Sequence, residues 1–236
     1  MSHLILVRHG QSNWNLENRF TGWVDIELSS KGKQEAIKAG QLIKELDIKI
    51  EGIFTSYLIR AIKTLELIMN TSISSNIKVN RAWELNERHY GALTGLNKDE
   101  MKKKLSDEKV HELRRSWDQR PEELDKKSPF HPLNIEIYNN IPKDKIPNTE
   151  SLKDTYDRVI PFYEKNIKNL VQKNVLVSAH GNSIRALCKY LFNLDNEKIS
   201  KLEIPTGNPL VVNINKNEVT NARYLDKIRA KDLIVF

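Results

Sequence analysis

The 236-residue chain has a single cysteine, Cys188, so no disulfide can close within it and nothing calls for an oxidising compartment. Long apolar runs are missing as well, and none approaches the roughly 20 residues that span a bilayer. The first residues, Met1 to Val7, carry no basic segment and meet Arg8 too soon to form a secretory leader. No internal repeat or low-complexity tract interrupts the chain. Charge of one sign is not concentrated anywhere: the 38 basic and 31 acidic side chains leave a net +7 that is thinly spread. The densest basic run, Lys102-Lys103-Lys104, is followed at once by Asp107 and Glu108. A stripe that could follow a nucleic-acid backbone is therefore lacking, and a small anion is the more interesting use of the surplus. These absences predict a cytoplasmic protein without a nucleic-acid or membrane partner.

What remains is enough for a core. A hydrophobic content of 39% rules out wholesale disorder, and the length fits one domain, 1–236, carrying an insertion. Residues 3–7 form a short apolar run rich in branched side chains, the pattern of a strand buried on both faces. Val175 to Ala179 repeats it, and Gly52 to Thr55 is a weaker third. Helical periodicity alternates with these runs. Ala36, Ala39, Gly40, Ile43 and Leu46 share one face, as do Leu58, Ala61, Ile62, Leu65, Ile68 and Met69, with Ser56 placed as a cap. Residues 151–170 and 183–193 predict two more helices, the second with Cys188 on its apolar, core-facing side. Alternating strands and helices predict an α/β three-layer sandwich, a mainly parallel sheet with helices on both faces. The alternation fails between about 91 and 149, where Pro121, Pro129, Pro132, Pro142 and Pro147 punctuate polar sequence. That segment reads as a helical and loop insertion placed to act as a lid.

Two of the buried strands end in the same dipeptide. Residues 3–7 run into Arg8-His9-Gly10, and 175–179 run into His180-Gly181. Ligands of open α/β sheets bind beyond such carboxyl ends, and glycine there lets the backbone approach a ligand closely. The third strand leads to a helix whose first turn presents Arg60. Two imidazoles and two guanidinium groups can thus share one rim. A neutral imidazole is a good nucleophile toward phosphorus, and arginine forks match the oxygens of a phosphoryl group in transfer. The set points to phosphoryl chemistry through phosphohistidine, although each member alone would be unremarkable.

With Arg8-His9-Gly10 and the distal His180-Gly181, the chain resembles the histidine phosphatase superfamily. Within it, Phe20-Thr21-Gly22-Trp23, Leu85-Asn86-Glu87-Arg88-His89-Tyr90-Gly91, Gly95-Leu96-Asn97-Lys98, Ala179-His180-Gly181-Asn182-Ser183 and Ile204-Pro205-Thr206-Gly207 resemble the 2,3-bisphosphoglycerate-dependent phosphoglycerate mutases. The likeness runs from residue 3 to about 225. It implies interconversion of 2- and 3-phosphoglycerate, with 2,3-bisphosphoglycerate as phosphoryl donor, no metal, and a homo-oligomer, dimer or tetramer. The alternatives on the same scaffold are a phosphatase and a bisphosphoglycerate mutase. The resemblance makes His9 the nucleophile and Glu87 the general acid/base, with Arg8, Arg60 and His180 on the phosphoryl group. It puts Ser12, Asn15, Thr21, Gly22, Gly181 and Asn182 around the substrate, and Tyr90, Lys98, Arg114 and Arg115 on its far anionic end. His3, His111 and His131 match no functional position, and His89 reads as packing. Gln11, Ile59, Thr94 and Asn208 depart from the usual residues, and Ile59 removes a positive charge from near the rim. The tail Leu233-Ile234-Val235-Phe236 lacks the polar, lysine-containing end of longer members.

Overall fold

The computed structural model describes residues 2–73, 77–170 and 172–230. Six strands form one mixed sheet in the order β3-β2-β4-β1-β5-β6. These are β1 (Ser2–Arg8), β2 (Gly52–Thr55), β3 (Val79–Arg81), β4 (Val175–Ala179), β5 (Leu210–Asn215) and β6 (Glu218–Tyr224). The first four are mutually parallel, whereas β5 and β6 add antiparallel pairs beside β1. The sheet is thus mainly parallel at its centre, as the alternation of strands and helices predicts. Strands β3, β5 and β6 extend it beyond the three buried runs read from sequence.

The central strands are buried almost throughout, and the alternating direction of their side chains sends them to two separate cores. Leu4 and Leu6 of β1 and Val175 and Val177 of β4 pack with Val159, Ile160, Ile184 and Leu187 on one face. Those four belong to α6 (Leu152–Phe162) and α7 (Gly181–Leu191). Ile5 and Val7, with Ile53 and Leu176, pack against Ala39, Ile43, Leu65 and Ile68 on the other. That layer is α2 (Ser30–Lys44) and α3 (Ile59–Ser72). Cys188 is fully buried in the first core, as expected. Three short or peripheral helices, α1 (Asn13–Leu16), α4 (Lys98–Leu105) and α5 (Asp107–Arg115), lie outside these two layers, and α8 (Asn196–Lys201) follows α7.

The insertion consists of α4, α5, short 3-10 turns and loops. Its apolar side chains join residues of the main fold. Met101, Val110 and Leu113 pack with Phe20, and Tyr138 and Ile141 pack with Trp23 and Leu58. Two local expectations need correction. Ser56 does not cap α3; it accepts the amide of Leu58, and the exposed amide of Ile59 is taken by Asp25 Oδ1 at 2.6 Å. Nor is 151–170 one α-helix. Pro161 cannot donate to the helical ladder, and past Phe162 the chain widens into a π turn over Tyr163–Ile167 and then tightens over Lys168–Leu170. The helix expected from 183 already begins at Gly181. The tail Leu233 to Phe236 lies outside the described residues.

Candidate active site

Because β2, β4 and β1 are parallel neighbours, their carboxyl ends emerge together. Arg8 pairs with Ala179 and Thr55 with Ser178, so His9, His180 and Ser56 leave the sheet at one level. The amide of His9 donates to Ala179 O at 3.0 Å, and the two imidazole centroids are 5.0 Å apart. Gly10 meets protein here. A Cβ on it would lie 2.1 Å from Gly32 O, and one on Gly32 would lie 2.0 Å from Gln11 O. The glycine after His9 therefore seats the loop on the first turn of α2, in place of the expected approach to a ligand. Gly181 differs, since its Cα faces Arg8 Nε and Glu87 Oε2.

Hydrogen bonding settles the protonation of His9. Its Nδ1 lies 2.7 Å from the carbonyl of Gly10, which can only accept, so the ring proton is there. Arg60 Nε donates to Nε2 at 3.3 Å, which leaves the lone pair on Nε2 facing the guanidinium. Burial above all, then Arg60 and Arg8, holds the pKa of His9 well below the usual histidine range. His180 is lowered in the same way, first by burial and then by Arg60, His9 and Arg8. Its Nε2 is 2.7 Å from Ser56 Oγ, and its buried Nδ1 has no hydrogen-bond partner among the described residues. Arg60 is buried, and its two terminal nitrogens donate to the carbonyls of Val24 and Gly22. Arg8 donates to Ile204 O, while its buried Nε lacks a hydrogen-bond partner among the described residues.

Across from the histidines lies Glu87, in the loop that follows β3. Its Oε1 accepts from the amide of Arg88 at 2.8 Å and from the amide and side chain of Asn182 at 3.1 and 2.9 Å. Asn182 Nδ2 also reaches Tyr90 Oη. Two small cavities meet here. One, of about 70 Å³, is lined by His9, Arg60, Asn15, Thr21, Gly22 and Lys98 among others. The second, of about 80 Å³, is lined by Gly181, Asn182, Arg115, Arg185 and Glu203. Arg8, Glu87, Tyr90 and Arg114 border both. Thr21 Oγ1 is a further buried group without a hydrogen-bond partner among the described residues. The walls offer cations and unpartnered donors, a set that suits an anionic ligand with two charged ends.

The sequence-predicted residues thus converge, with two qualifications. Ser12 stands one layer back: it caps α1, its Oγ accepting from the amide of Asn15. Arg115 borders the second cavity, but its guanidinium is engaged by the Glu203 carboxylate and Leu202 O. Arg114 makes no ion pair among the described residues, and burial pulls its pKa down. Lys98 falls to about 8 through burial and the charges of Arg114 and Arg8. Sequence reasoning missed Arg19, Phe20, Arg185 and Glu203 as wall residues. Arg185 was visible as a cation on the otherwise apolar inner face of α7; it is buried, donates to Asn182 Oδ1, and its pKa drops to about 9, mainly through burial. Of the departures, Gln11 ties to the α2 cap through Ser29 Oγ, and Asn208 replaces an apolar residue by bonding both backbone groups of Asp226. Nothing in the structure explains Thr94, whose buried hydroxyl has no hydrogen-bond partner among the described residues. No grouping able to hold a metal ion occurs among the described residues.

Known proteins resemble this chain in sequence and in fold. The model of the histidine phosphatase superfamily (branch 1) matches residues 4–131 and 131–227. A 2,3-bisphosphoglycerate-dependent phosphoglycerate mutase of Pelagibacter ubique (strain HTCC1062) is 61% identical over 239 residues, covering 100% of both chains. One from Lactobacillus acidophilus (strain ATCC 700396 / NCK56 / N2 / NCFM) is 48% identical, covering 96% of this chain and 100% of its own. The solved structure of Bacillus stearothermophilus YhfR has the same fold, with a TM-score of 0.69 at 20% identity over 93% of this chain and 95% of that one.

Proposed function

From the premise that the chain belongs to the histidine phosphatase superfamily, we propose that it interconverts 2- and 3-phosphoglycerate through a phosphohistidine on His9. It acts as a single catalytic domain, 1–236, with residues of about 91–149 as lid. When bound, 2,3-bisphosphoglycerate supplies the phosphoryl group that primes the enzyme. The observation that carries this reading is the state of His9: a neutral ring whose proton is fixed on Nδ1 and whose Nε2 lone pair is directed at the phosphoryl-binding Arg60.

His9 Nε2 takes the phosphoryl group while Arg8, Arg60 and His180 share the charge on its oxygens. The long bond from Arg60 Nε to His9 is readily exchanged for one to a phosphoryl oxygen. Glu87 gives a proton to the departing substrate oxygen and takes it back on return. Asn15, Thr21 and Gly22 bound the phosphoryl end, with Ser12 holding Asn15. Tyr90, Lys98, Arg114, Asn182 and Gly181 receive the other end, and Arg115 closes the wall behind them. Two adjacent cavities that share Arg8, Glu87, Tyr90 and Arg114 as walls favour a mutase over a phosphatase, because a substrate with two anionic ends can stay held while it turns. Chemistry of this kind needs no metal. The enzyme works in the cytoplasm as a homo-oligomer, dimer or tetramer, on small phosphorylated three-carbon acids; no helix among the described residues is long and apolar enough to cross a membrane.

The test is brief exposure to 2,3-bisphosphoglycerate followed by mass spectrometry under alkaline conditions. Acid-labile phosphate is expected on His9 and absent from folded His9→Ala, which should form no 2-phosphoglycerate from 3-phosphoglycerate. Label on another residue, or free phosphate as the main product, would overturn the mutase reading.

A further inference from the structure

Resting on the mutase reading, we infer that Arg158, braced by Glu150, is a positioning residue for the acid/base Glu87. Neither touches the cavity. Arg158 projects from α6 behind the loop of residues 84–89, and the side chains of Arg158 and Glu150 are 9% and 5% exposed. The guanidinium uses all five of its N–H donors. Nη1 donates to Glu84 O at 2.6 Å and Asn86 O at 3.1 Å, and Nη2 donates to Glu87 O at 2.9 Å. The remaining two go to the Glu150 carboxylate, Nε at 2.7 Å and Nη2 at 2.9 Å. Glu150 in turn accepts the amide of His89 at 2.8 Å and donates its own amide to His89 O.

Four residues of one loop, 84, 86, 87 and 89, are therefore pinned through backbone groups by one ion pair. Beyond the 3-10 turn at Trp83–Leu85, this loop has no helix or strand to hold those carbonyls. A buried ion pair by itself would be weak evidence for stability. Here the geometry adds direction: the pair grips the Glu87 backbone from behind while Asn182 grips the carboxylate from the front. Lysine could not reproduce it, since only the planar fork spans three carbonyls and a carboxylate.

The step at stake is phosphoryl transfer to His9. A P–N bond forms at Nε2, the P–O bond to the leaving oxygen breaks, and the carboxyl proton of Glu87 passes to that oxygen. A displaced carboxylate slows this step and leaves ground-state binding of the anion to the cavity cations intact. Arg158→Lys should thus lower kcat roughly ten- to a hundredfold with KM within about twofold.

A double-mutant cycle with Glu87→Gln tests the route. If Arg158 acts through Glu87, adding Arg158→Lys to Glu87→Gln should slow transfer by no more than about twofold. Equal losses in both backgrounds, or a raised KM with kcat kept, would overturn the inference. Circular dichroism and thermal melts establish that the variants fold. Should Arg158→Lys not fold, Glu150→Gln enters the same cycle; it keeps side-chain size and should give a smaller loss with the same dependence on Glu87. Wild-type enzyme that forms no phosphohistidine would overturn the mutase reading and this inference with it. Phosphohistidine with multiplicative losses would overturn the inference alone.

Discussion

At His9, two neighbours of unlike chemistry prepare one ring: a carbonyl fixes the proton on Nδ1, and a guanidinium faces the free Nε2. Burial, more than the flanking cations Arg60 and Arg8, keeps the ring neutral. Lys98 shows the same physics on a cation that matters near neutral pH. Burial, Arg114 and Arg8 bring it to about 8, so its charge is present below that pH and fades as pH rises through it. Anion binding should weaken accordingly. In wild-type enzyme KM for 3-phosphoglycerate is expected to climb above about pH 8, and Lys98→Arg should move that rise to higher pH, because arginine stays charged. Initial-rate kinetics from pH 7 to 9.5 on both proteins check this; a KM that is flat in wild type would remove Lys98 from the anion site. Which residues were legible follows from where their function resides. His9, His180, Arg8 and Arg60 stand at or just past strand ends, which local sequence marks. Glu87, Arg114 and Lys98 were chosen through the family motif alone, since a carboxylate in a loop, or a cation on a short polar helix, carries no local sign of its task. Arg158 and Glu150 were invisible because they act on backbone carbonyls and an amide that only the tertiary fold brings near.

Among the elements, α5 shows how one short helix divides two adjacent arginines between tasks. Residues 114 and 115 differ by about 100° around the helix axis. Arg114 borders both cavities and has no ion-pair partner among the described residues, whereas Arg115 is tied to Glu203 and Leu202 across the cavity mouth. Arg114→Ala should therefore cost kcat/KM roughly ten- to a hundredfold, as loss of a charge-assisted contact to substrate does. Arg115→Ala should cost less than tenfold, because Glu203 already draws on that charge and the pair is partly exposed. Both should raise phosphate release relative to 2-phosphoglycerate, since each loosens the lid. Parallel assay of the two products separates the effects, and equal losses in kcat/KM would contradict the division. The main helices were legible from their apolar faces, but their ends were not. The first exposed amide of α3 is satisfied by Asp25, 34 residues earlier, and no window around Ser56 contains that information. The π turn after Phe162 was equally hidden in a sequence whose apolar spacing continues without a break.

Across the whole molecule, the cost of burying imidazoles should appear as acid sensitivity. Three histidines, His9, His89 and His180, are buried with pKa values pushed down chiefly by burial. The unfolded chain binds protons on these rings near pH 6.5, while the folded protein does not, so stability must fall as pH drops below that value. For His89, lowered to about 3, the loss continues down to that pH and amounts to about 2 kcal/mol between neutrality and pH 5. His9 and His180 act in the same direction. Ordinary carboxylates titrate near pH 4, so the interval from pH 6.5 to 5 isolates the histidines. The three have different reasons for being neutral. In the proposed mechanism His9 and His180 serve the phosphoryl group, while His89 lies beside His131 and accepts the amide of Gly91 through Nδ1, within the loop that carries Glu87. Function and loop structure therefore draw on the same stability. Urea unfolding of the wild-type protein at several pH values is expected to show a decline beginning near pH 6.5 and steepening toward pH 5. His89→Gln should be less stable at pH 7.5, having lost a fitted ring, yet its decline should be shallower by one proton. If the His89→Gln slope matches that of wild type, His89 is not held neutral by the fold; if wild-type stability is level between pH 7.5 and 5, none of the three buried rings is. The account of His9 as a nucleophile kept neutral by burial would then fail with them.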